Sequence, residues 1–194
     1  MKNLIIVTGG NGRFAQILRK KNKILNLKFL PKNKLNILST KSIKKSLLKY
    51  KPKMILHTAG LSRPMIEHEK NISRSIDLNI LGTANLVKVC ASLDIKIIYF
   101  STCYVYDGIK GNFKETDPIK PINNYGLSKL GGECSVQMYK NSLILRIQMT
   151  EKPFQYEKAY GNVITNFIYH EDLVEILPKI INQFGIINIG GKKQ

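Results

Sequence analysis

The chain has few of the residues that build disulfide frameworks and metal centres. It contains no tryptophan, three histidines and three cysteines, among 194 residues. Cys90, Cys103 and Cys134 form no C-x-x-C pair and are odd in number, and the histidines are scattered. Cysteine-based metal sites and disulfide scaffolds use paired, closely spaced cysteines. The sequence therefore predicts neither a disulfide framework nor a metal site.

Two features of secreted and membrane proteins are also missing. The first residues do not show a basic stretch followed by an apolar stretch and a small-residue cleavage site. The sequence has no apolar run of the length that a membrane-spanning helix needs, about 18 residues. We therefore expect a soluble, cytoplasmic protein that does not contact a membrane.

Acidic residues are absent from residues 1 to 66, and the whole chain carries a formal charge of +18. We prefer the interpretation that these lysines are solvated on outer faces, as part of a general richness in Lys, Ile and Asn. A basic surface also attracts nucleic acid. We do not expect a nucleic-acid partner, because no recognition helix, zinc-finger spacing or aromatic-basic RNA-binding motif is present. A third interpretation is a preference for a phosphorylated small molecule.

Short apolar runs alternate with segments of helical spacing along the whole chain. We predict strands at 4–7, 23–30, 54–59, 96–102, 142–147 and 185–191, and helices near 13–21, 40–50, 66–93, 124–141 and 171–183. Such alternation predicts a parallel sheet with helices on both faces, a Rossmann-type doubly wound α/β fold. No linker or repeat divides residues 1–194, so we expect one dinucleotide-binding domain.

A glycine motif follows the first predicted strand. Residues 10–15, Gly-Asn-Gly-Arg-Phe-Ala, fit G-x-G-x-x-G/A between a strand and a helix. Glycines allow the backbone to approach a pyrophosphate, and the N-terminus of the helix offers free N–H groups. The motif predicts a dinucleotide site.

The acidic residue that binds the ribose hydroxyls of NAD is missing from its usual place, about 20 residues further on. That stretch contains Lys28, Lys32, Lys34 and Asn36 instead. A 2′-phosphate would meet one of these lysines or Arg13. We therefore predict that NADP(H) is preferred, with NAD(H) as the alternative cofactor.

Two Tyr-x-x-x-Lys pairs occur, and the sequence distinguishes them. Tyr106 and Lys110 lie among glycines after a β-rich run, so they are not expected to share a helix. Tyr125 and Lys129 lie at the start of a predicted helix, where residues four apart occupy the same face. A free tyrosine has a pKa of about 10 and needs a nearby cation to exchange protons near neutral pH. We predict that Lys129 supplies this cation.

Hydroxyl groups at the end of the fourth predicted strand complete the candidate site. Ser101 and Thr102 lie there, and the third strand ends at Thr58, Ala59 and Gly60. Ligands of doubly wound folds bind at these strand ends. Thr102 can orient a substrate oxygen toward the phenol of Tyr125, and Lys129 can also hold the ribose of the cofactor. This set predicts carbonyl-alcohol interconversion with a hydride carrier.

Several ordered stretches, "TGGNGRFA", "HTAG", "NILGTANL", "STCYVYDG" and "YGLSK", resemble the extended short-chain dehydrogenase/reductase family. The pattern is most similar to its dTDP-4-dehydrorhamnose reductase branch, and "TAGLSRP" and "LRIQM" are similar to the bifunctional epimerase-reductases of nucleotide-rhamnose synthesis. The resemblance implies NADPH-dependent reduction of a nucleotide-linked 4-keto-6-deoxy sugar, with Tyr125 as the proton donor. It implies catalytic roles for Thr102, Tyr125 and Lys129, cofactor contacts from Gly9, Gly12, Arg13, Phe14, Ala59, Gly60, Tyr125 and Lys129, and substrate contacts from Thr102 and Cys103.

Two departures from the family pattern leave alternatives open. Cys103 stands where the reductase branch usually has Asp, and the substrate-binding portion near residues 148–170 is much reduced. The alternatives are a nucleotide-sugar epimerase or dehydratase of the same family, and a non-catalytic NADP-binding subunit that resembles the regulatory subunit of methionine adenosyltransferase. The resemblance also implies a homodimer formed through the helices near 66–93 and 124–141.

Overall fold

The fold is built on one parallel sheet. In the computed structural model, which describes residues 3–154 and 166–191, six strands have the order β2-β1-β3-β4-β5-β8, and every neighbouring pair is parallel. These strands are β1 (Ile5–Thr8), β2 (Leu27–Leu30), β3 (Met54–His57), β4 (Lys96–Thr102), β5 (Ser142–Ile147) and β8 (Gly185–Ile189). Two short strands, β6 (Met149–Thr150) and β7 (Ile168–Tyr169), form a separate parallel pair.

Helices connect the strands. They are α1 (Arg13–Lys21), α2 (Thr40–Tyr50), α3 (Glu67–Lys70), α4 (Ile72–Ser75), α5 (Gly82–Ser92), α6 (Asn124–Gln137) and α7 (His170–Ile180). A π-helical turn, Ile76–Leu81, joins α4 to α5, and a 3₁₀ turn, Cys103–Val105, follows β4. The side chains of Ser39, Asn71 and Asn123 accept hydrogen bonds from the first turns of α2, α4 and α6, which explains where these helices begin.

The apolar side chains of the strands alternate between two cores, one on each face of the sheet. On one face, Val7, Leu56, Ile98 and Leu145 pack with residues of α1 and α7. On the other, Ile6, Ile55, Ile97 and Ile144 pack with residues of α2, α5 and α6. Because successive side chains of a strand point to opposite faces, strands that are apolar throughout must be covered twice. The prediction of a doubly wound α/β fold is confirmed.

The structure differs from the predicted elements in three places. The strand expected at 23–30 begins only at Leu27, since Asn22 binds the backbone of Ile24 and Leu25 in a turn. The helix expected at 66–93 is divided into α3, α4, the π-helical turn and α5. The pair β6 and β7 was not predicted. It lies in the portion near 148–170, of which residues 155–165 fall outside the described residues.

The strand order places a crevice between β1 and β3. The chain passes from β1 to the edge strand β2 and then returns to β3 on the other side of β1. Connections therefore leave the carboxyl ends of β1 and β3 in opposite directions, and such a switch point is where doubly wound folds bind ligands. The glycine loop follows β1 at this point.

Candidate functional site

The glycine loop is shaped for close approach to a ligand. Gly9 has a φ of 63°, and a Cβ there would lie 2.9 Å from the Cα of Ala59. A larger residue is therefore excluded by both conformation and space. Gly12 N–H donates to the carbonyl of Gly9 at 2.7 Å, and α1 begins at the next residue. The first amides of α1 have no partners within the helix and offer an anion site.

A cavity of about 310 Å³ opens beside this loop. Its lining joins the glycine loop to the ends of β2 and β3, and the residues include Gly9, Gly12, Lys32, Asn36, Thr58, Ala59 and Gly60. The predicted cofactor residues Gly9, Gly12, Ala59 and Gly60 thus come together in one cavity. Lys32 and Asn36 also line it, and the described lining residues include no carboxylate. This agrees with the absence from the sequence of the acidic residue that binds the ribose hydroxyls of NAD.

Arg13 and Phe14, two other predicted cofactor residues, are placed differently. The Nε atom of Arg13 lies 3.4 Å from a carboxylate oxygen of Glu151, and neither Arg13 nor Phe14 lines the cavity. Phe14 is buried, and its ring centroid lies 5.3 Å from that of Phe100 and 5.4 Å from that of His170. Its side chain therefore belongs to the core, which leaves only its backbone at the ligand end of α1.

The end of β4 carries Thr102 and Cys103. Thr102 is buried, and its hydroxyl accepts a hydrogen bond from the backbone N–H of Tyr104 at 3.2 Å, which fixes the 3₁₀ turn. The Cys103 thiol donates to the side-chain oxygen of Gln148 at 3.5 Å. Burial raises the pKa of Cys103 to about 11, so its thiol is protonated at neutral pH. Cys103 therefore does not substitute for the acid that the reductase branch carries at this position.

Tyr125 lies in the first turn of α6, beside Thr102. Asn123 caps this helix by accepting the Gly126 N–H at 2.8 Å. The ring of Tyr125 packs against His68, with centroids 5.0 Å apart, and against Tyr104, with centroids 5.8 Å apart. Burial raises the pKa of Tyr125 to about 12, whereas its hydrogen bond to Thr102 acts in the opposite direction. The structure therefore brings the predicted Tyr125 and Thr102 together.

Lys129 is one helical turn away on the same face, and its ammonium group lies over the ring of Tyr99. It is 7% exposed, and its Nζ atom lies 4.2 Å from the centroid of the Tyr99 ring. Burial lowers the pKa of Lys129 to about 7, and Glu133 acts in the opposite direction. The charge of Arg63 also lowers the pKa of Tyr125. The stabilisation of the phenolate by Lys129 stays a prediction.

The second Tyr-x-x-x-Lys pair has no such arrangement. Tyr106 follows the 3₁₀ turn, outside any helix, and the Nζ atom of Lys110 lies 2.9 Å from a carboxylate oxygen of Asp117. The hydroxyl group of Tyr106 accepts a hydrogen bond from Arg146 at 2.6 Å. The prediction that this pair does not share a helix is confirmed.

A buried ion pair behind the site was not predicted. Nη2 of Arg146 lies 2.6 Å from a carboxylate oxygen of Glu133, and both side chains are almost fully buried, with 1% and 0% exposure. The Ser101 hydroxyl donates to the same carboxylate at 2.6 Å. Glu133 lies one turn after Lys129 on α6, so the pair ties the helix that carries Tyr125 to strands β4 and β5. Nothing in the sequence of β5 indicates that Glu133 is the partner of Arg146.

The loop after β3 is tied to α6 by Asn79, another residue that the sequence did not single out. The Asn79 side chain accepts the Leu61 N–H at 2.7 Å and donates to the Leu61 carbonyl at 2.9 Å. It also donates to the Ser128 hydroxyl at 2.9 Å. Ser128 in turn donates to the carbonyl of Tyr125 at 2.8 Å. The ends of β1, β3 and β4 and the start of α6 thus form one connected site.

Two other kinds of site are absent from the described residues. Among residues 3–154 and 166–191, no group of three or more His, Cys, Asp or Glu side chains could hold a metal ion. Within the same ranges, no helix is long and apolar enough to cross a membrane.

The chain is similar to proteins of one known family. A family model described as the RmlD substrate binding domain matches residues 1–173. The chain belongs to this family. The match confirms the resemblance to the extended short-chain dehydrogenase/reductases and their dTDP-4-dehydrorhamnose reductase branch.

Curated relatives include two kinds of protein. The beta subunit of methionine adenosyltransferase 2 from Xenopus laevis is 35% identical over 114 residues, which are 58% of this chain and 34% of that protein. A dTDP-4-dehydrorhamnose reductase from Aggregatibacter actinomycetemcomitans is 29% identical over 154 residues, which are 75% of this chain and 51% of the reductase. The chain thus spans about a third to a half of the length of these two relatives.

Solved structures of RmlD-like and related enzymes have the same fold. A dTDP-4-dehydrorhamnose reductase from Bacillus anthracis, in complex with NADP, has a TM-score of 0.86 and 22% identity, and the alignment covers 98% of this chain and 75% of that one. A UDP-glucose 4-epimerase from Thermus thermophilus, in complex with NAD, has a TM-score of 0.75 and 17% identity, covering 98% and 79% of the two chains. These likenesses confirm the doubly wound α/β fold.

Proposed function

We propose that this chain binds NADP(H) and reduces the keto group of a nucleotide-linked 4-keto-6-deoxy sugar, with Tyr125 as the proton donor. The observation that carries the proposal is the convergence of the glycine loop, Thr102, Tyr125 and Lys129 at neighbouring strand ends. Membership of the RmlD family and the similarity to dTDP-4-dehydrorhamnose reductases support this reaction class.

The cavity supports dinucleotide binding. Its lining combines the glycine loop and the small residues at the end of β3 with larger side chains such as Leu35 and Ile37, and the free amides at the start of α1 can bind a pyrophosphate. The cofactor, when bound, supplies the hydride. Lys32 and Asn36 are suited to a 2′-phosphate, because one is cationic and both can donate hydrogen bonds. Arg13 is a weaker candidate for the 2′-phosphate, since it pairs with Glu151 outside this cavity.

The remaining residues take part in the transfer of a proton to the substrate. Reduction of a carbonyl group places negative charge on its oxygen, and an acid must neutralise that charge. The Tyr125 hydroxyl donates this proton, and the Thr102 hydroxyl holds the oxygen in line with it. Lys129 would hold the ribose of the cofactor. Burial lowers the pKa of Lys129 to about 7, so the ammonium group is charged only in part near neutral pH. A ribose hydroxyl and the negative charge of the cofactor would act against burial and favour the charged form.

The test is a panel of dTDP- and UDP-4-keto-6-deoxyglucose with NADPH, in which the oxidation of the cofactor is followed by absorbance. We expect turnover with at least one of these sugars. Tyr125→Phe should abolish most of this turnover and leave NADPH binding, measured by calorimetry, unchanged. Tyr104→Phe is the matched control, because Tyr104 stands beside Tyr125 and has no role in proton donation. An inactive wild-type protein that binds NADPH would contradict the reductase assignment.

A second candidate function is a non-catalytic dinucleotide-binding subunit. It is favoured by the methionine adenosyltransferase 2 beta subunits among the curated relatives, which have no more than 35% identity to this chain. The presence of Cys103 where the reductase branch usually has Asp fits this function as well. Co-purification of a stable partner by the tagged protein, together with absence of turnover, would favour it. Dimerisation through α5, α6 and the residues that precede α5 stays a prediction, to be tested by light scattering.

A further inference from the structure

Tyr99 contacts both the backbone and the ammonium group of Lys129. The Tyr99 hydroxyl donates to the backbone carbonyl of Lys129 at 3.0 Å, and the Nζ atom of Lys129 lies 4.2 Å from the centroid of the same ring. Tyr99 belongs to β4, in the interior of the sheet, and is fully buried. One side chain of a central strand therefore determines where both parts of Lys129 lie.

The ring of Tyr99 is itself held in place by its neighbours. A Cβ on Gly132 would lie 2.6 Å from the Tyr99 hydroxyl oxygen, so α6 approaches β4 this closely only because position 132 is glycine. On β3, the ring centroid of His57 lies 5.7 Å from that of Tyr99. The two ring nitrogens of His57 are hydrogen-bonded to the hydroxyls of Thr8 and Thr83, at 2.9 and 3.1 Å, which keeps the imidazole from turning.

The charged and titratable groups around the Lys129 ammonium group come from four elements. They are Glu133 and Tyr125 on α6, His57 on β3, His68 on α3 and Tyr99 on β4. Burial lowers the pKa of both histidines, to about 3 for His57, so both imidazoles are neutral at neutral pH. Burial also lowers the pKa of Lys129, and Glu133 acts against it, although the Glu133 carboxylate already pairs with Arg146 at 2.6 Å. The Tyr99 ring is therefore the contact that can hold the ammonium group in one place.

We propose that Tyr99 is a positioning residue for Lys129: its ring holds the ammonium group by a cation–π contact, and its hydroxyl fixes the helix backbone at the same residue. The face of an aromatic ring carries negative potential, so it stabilises the ammonium form more than the neutral amine. An ammonium group has three N–H donors and the ring covers only one side of it, so the other side can donate to the ribose of the cofactor. This inference rests on the proposed role of Lys129 in holding that ribose.

The first experiment measures the ionisation of Lys129 without cofactor or turnover. Protein labelled with carbon-13 at the lysine Cε atoms is titrated by NMR, and Lys129→Met identifies the signal of the buried lysine by removing it. Tyr99→Leu removes the ring and should lower the pKa of Lys129 by about one unit, the size of a partly desolvated cation–π contact. Tyr99→Phe keeps the ring and should leave this pKa nearly unchanged. Tyr50→Leu is the matched control, because the Tyr50 ring contacts Lys28 instead, at 4.7 Å.

The direction of the shift separates this role from simple packing. If Tyr99 only filled space, its loss would admit water and move the pKa of Lys129 upward, toward the ordinary value of 10.5. An unchanged or raised pKa in Tyr99→Leu would therefore overturn the proposal.

A series of variants that keep the shape of the ring decides the matter if Tyr99→Leu does not fold. Phenylalanines with increasing numbers of ring fluorines are placed at position 99, because each fluorine weakens the negative potential of the ring face. The pKa of Lys129 should fall stepwise along this series from its value in Tyr99→Phe. The same pKa throughout the series would contradict a cation–π contact.

The second experiment uses the affinity for NADPH, measured by calorimetry as a function of pH. Bound cofactor favours the charged form of Lys129, so the affinity should fall as the pH rises through the pKa of this residue. In Tyr99→Leu the fall should begin about one pH unit lower, whereas Tyr99→Phe should follow the wild-type protein. A loss of affinity that is equal at every pH would show that Tyr99 supports only the shape of the site, and would overturn the proposal. If the wild-type protein reduces no keto sugar, the proposed reductase function fails, and the NMR titration still decides the role of Tyr99.

Discussion

Replacing Lys129 with Met should make the protein more stable, because the wild-type chain buries an ammonium group. Burial lowers the pKa of Lys129 from 10.5 to about 7, and Lys129 is 7% exposed. One pKa unit corresponds to about 1.4 kcal/mol, so this shift costs the folded state at most about 5 kcal/mol. The cation–π contact with Tyr99 offsets up to about 2 kcal/mol. We expect Lys129→Met to raise the free energy of unfolding by about 3 kcal/mol at pH 6.5.

The stability that Lys129→Met gains over the wild-type protein should decrease as the pH rises, and this direction identifies the buried ammonium group as its cause. Between the two pKa values the unfolded chain carries the proton on Lys129 and the folded chain does not, so the stability of the wild-type protein rises with pH. The penalty is complete below about pH 7 and disappears as the pH approaches 10.5. The advantage of Lys129→Met should therefore shrink by about 3 kcal/mol at most between pH 6.5 and pH 9.

Urea unfolding at pH 6.5, 8 and 9 measures this difference, with the midpoint and slope fitted separately for each variant. Lys88→Met is the matched control, since Lys88 lies exposed on α5 and should change stability little at any of these pH values. If Lys129→Met were destabilised, or if its advantage were the same at every pH, the buried ammonium would not be the source of the cost. The stability difference between Tyr125→Phe and the wild-type protein should not change with pH in this way, because that variant keeps Lys129.

Three further predictions concern the ion pair and the cavity. Arg146→Met should lower the free energy of unfolding by about 3 to 5 kcal/mol, because it leaves Glu133 buried without its cation. The double variant Arg146→Met, Glu133→Leu should recover much of that loss. The control Arg74→Met, at an exposed arginine, should cost less than about 1 kcal/mol, and urea unfolding measures all three variants. Gly9→Ala should cost at least about 1 to 2 kcal/mol and weaken NADPH binding about tenfold in calorimetry, because a side chain there adopts a left-handed conformation and meets Ala59. Lys32→Glu should lower the affinity for NADPH about tenfold and leave that for NADH nearly unchanged, and equal losses for both cofactors would show that Lys32 does not bind a 2′-phosphate.

The sequence predicts the sheet and the glycine loop well because both depend on local patterns. The strands β1, β3, β4 and β5 are mostly apolar, as a strand buried on both faces must be. The turn after β1 needs a positive φ at Gly9, which only glycine adopts freely. Fold class and the place of the cavity follow from these two features.

The long-range polar contacts could not be predicted from the sequence. Arg63 and Glu151 are 88 positions apart, and in a chain with 31 Lys and Arg residues no spacing distinguishes one arginine from another. Burial of Arg146 depends on Glu133 from a different element. The position of the Lys129 ammonium over Tyr99 likewise depends on how α6 packs against β4. The Tyr-x-x-x-Lys pattern fixes the helical face of Lys129 and leaves the direction of its side chain open.

The π-helical turn at Ile76–Leu81 has a consequence for how this chain tolerates changes in length. A π turn is equivalent to one extra residue inserted into an α-helix. Deleting one residue from this turn would restore a regular α-helix, and would move the remaining residues of the turn by about 100° around the helix axis while the flanking segments stay in phase. Asn79 could then no longer reach Leu61 and Ser128 together, so the loop that carries Arg63 would lose its connection to the helix that carries Tyr125. A change of one residue in length at this turn would thereby separate the two halves of the site without altering any of the predicted catalytic residues.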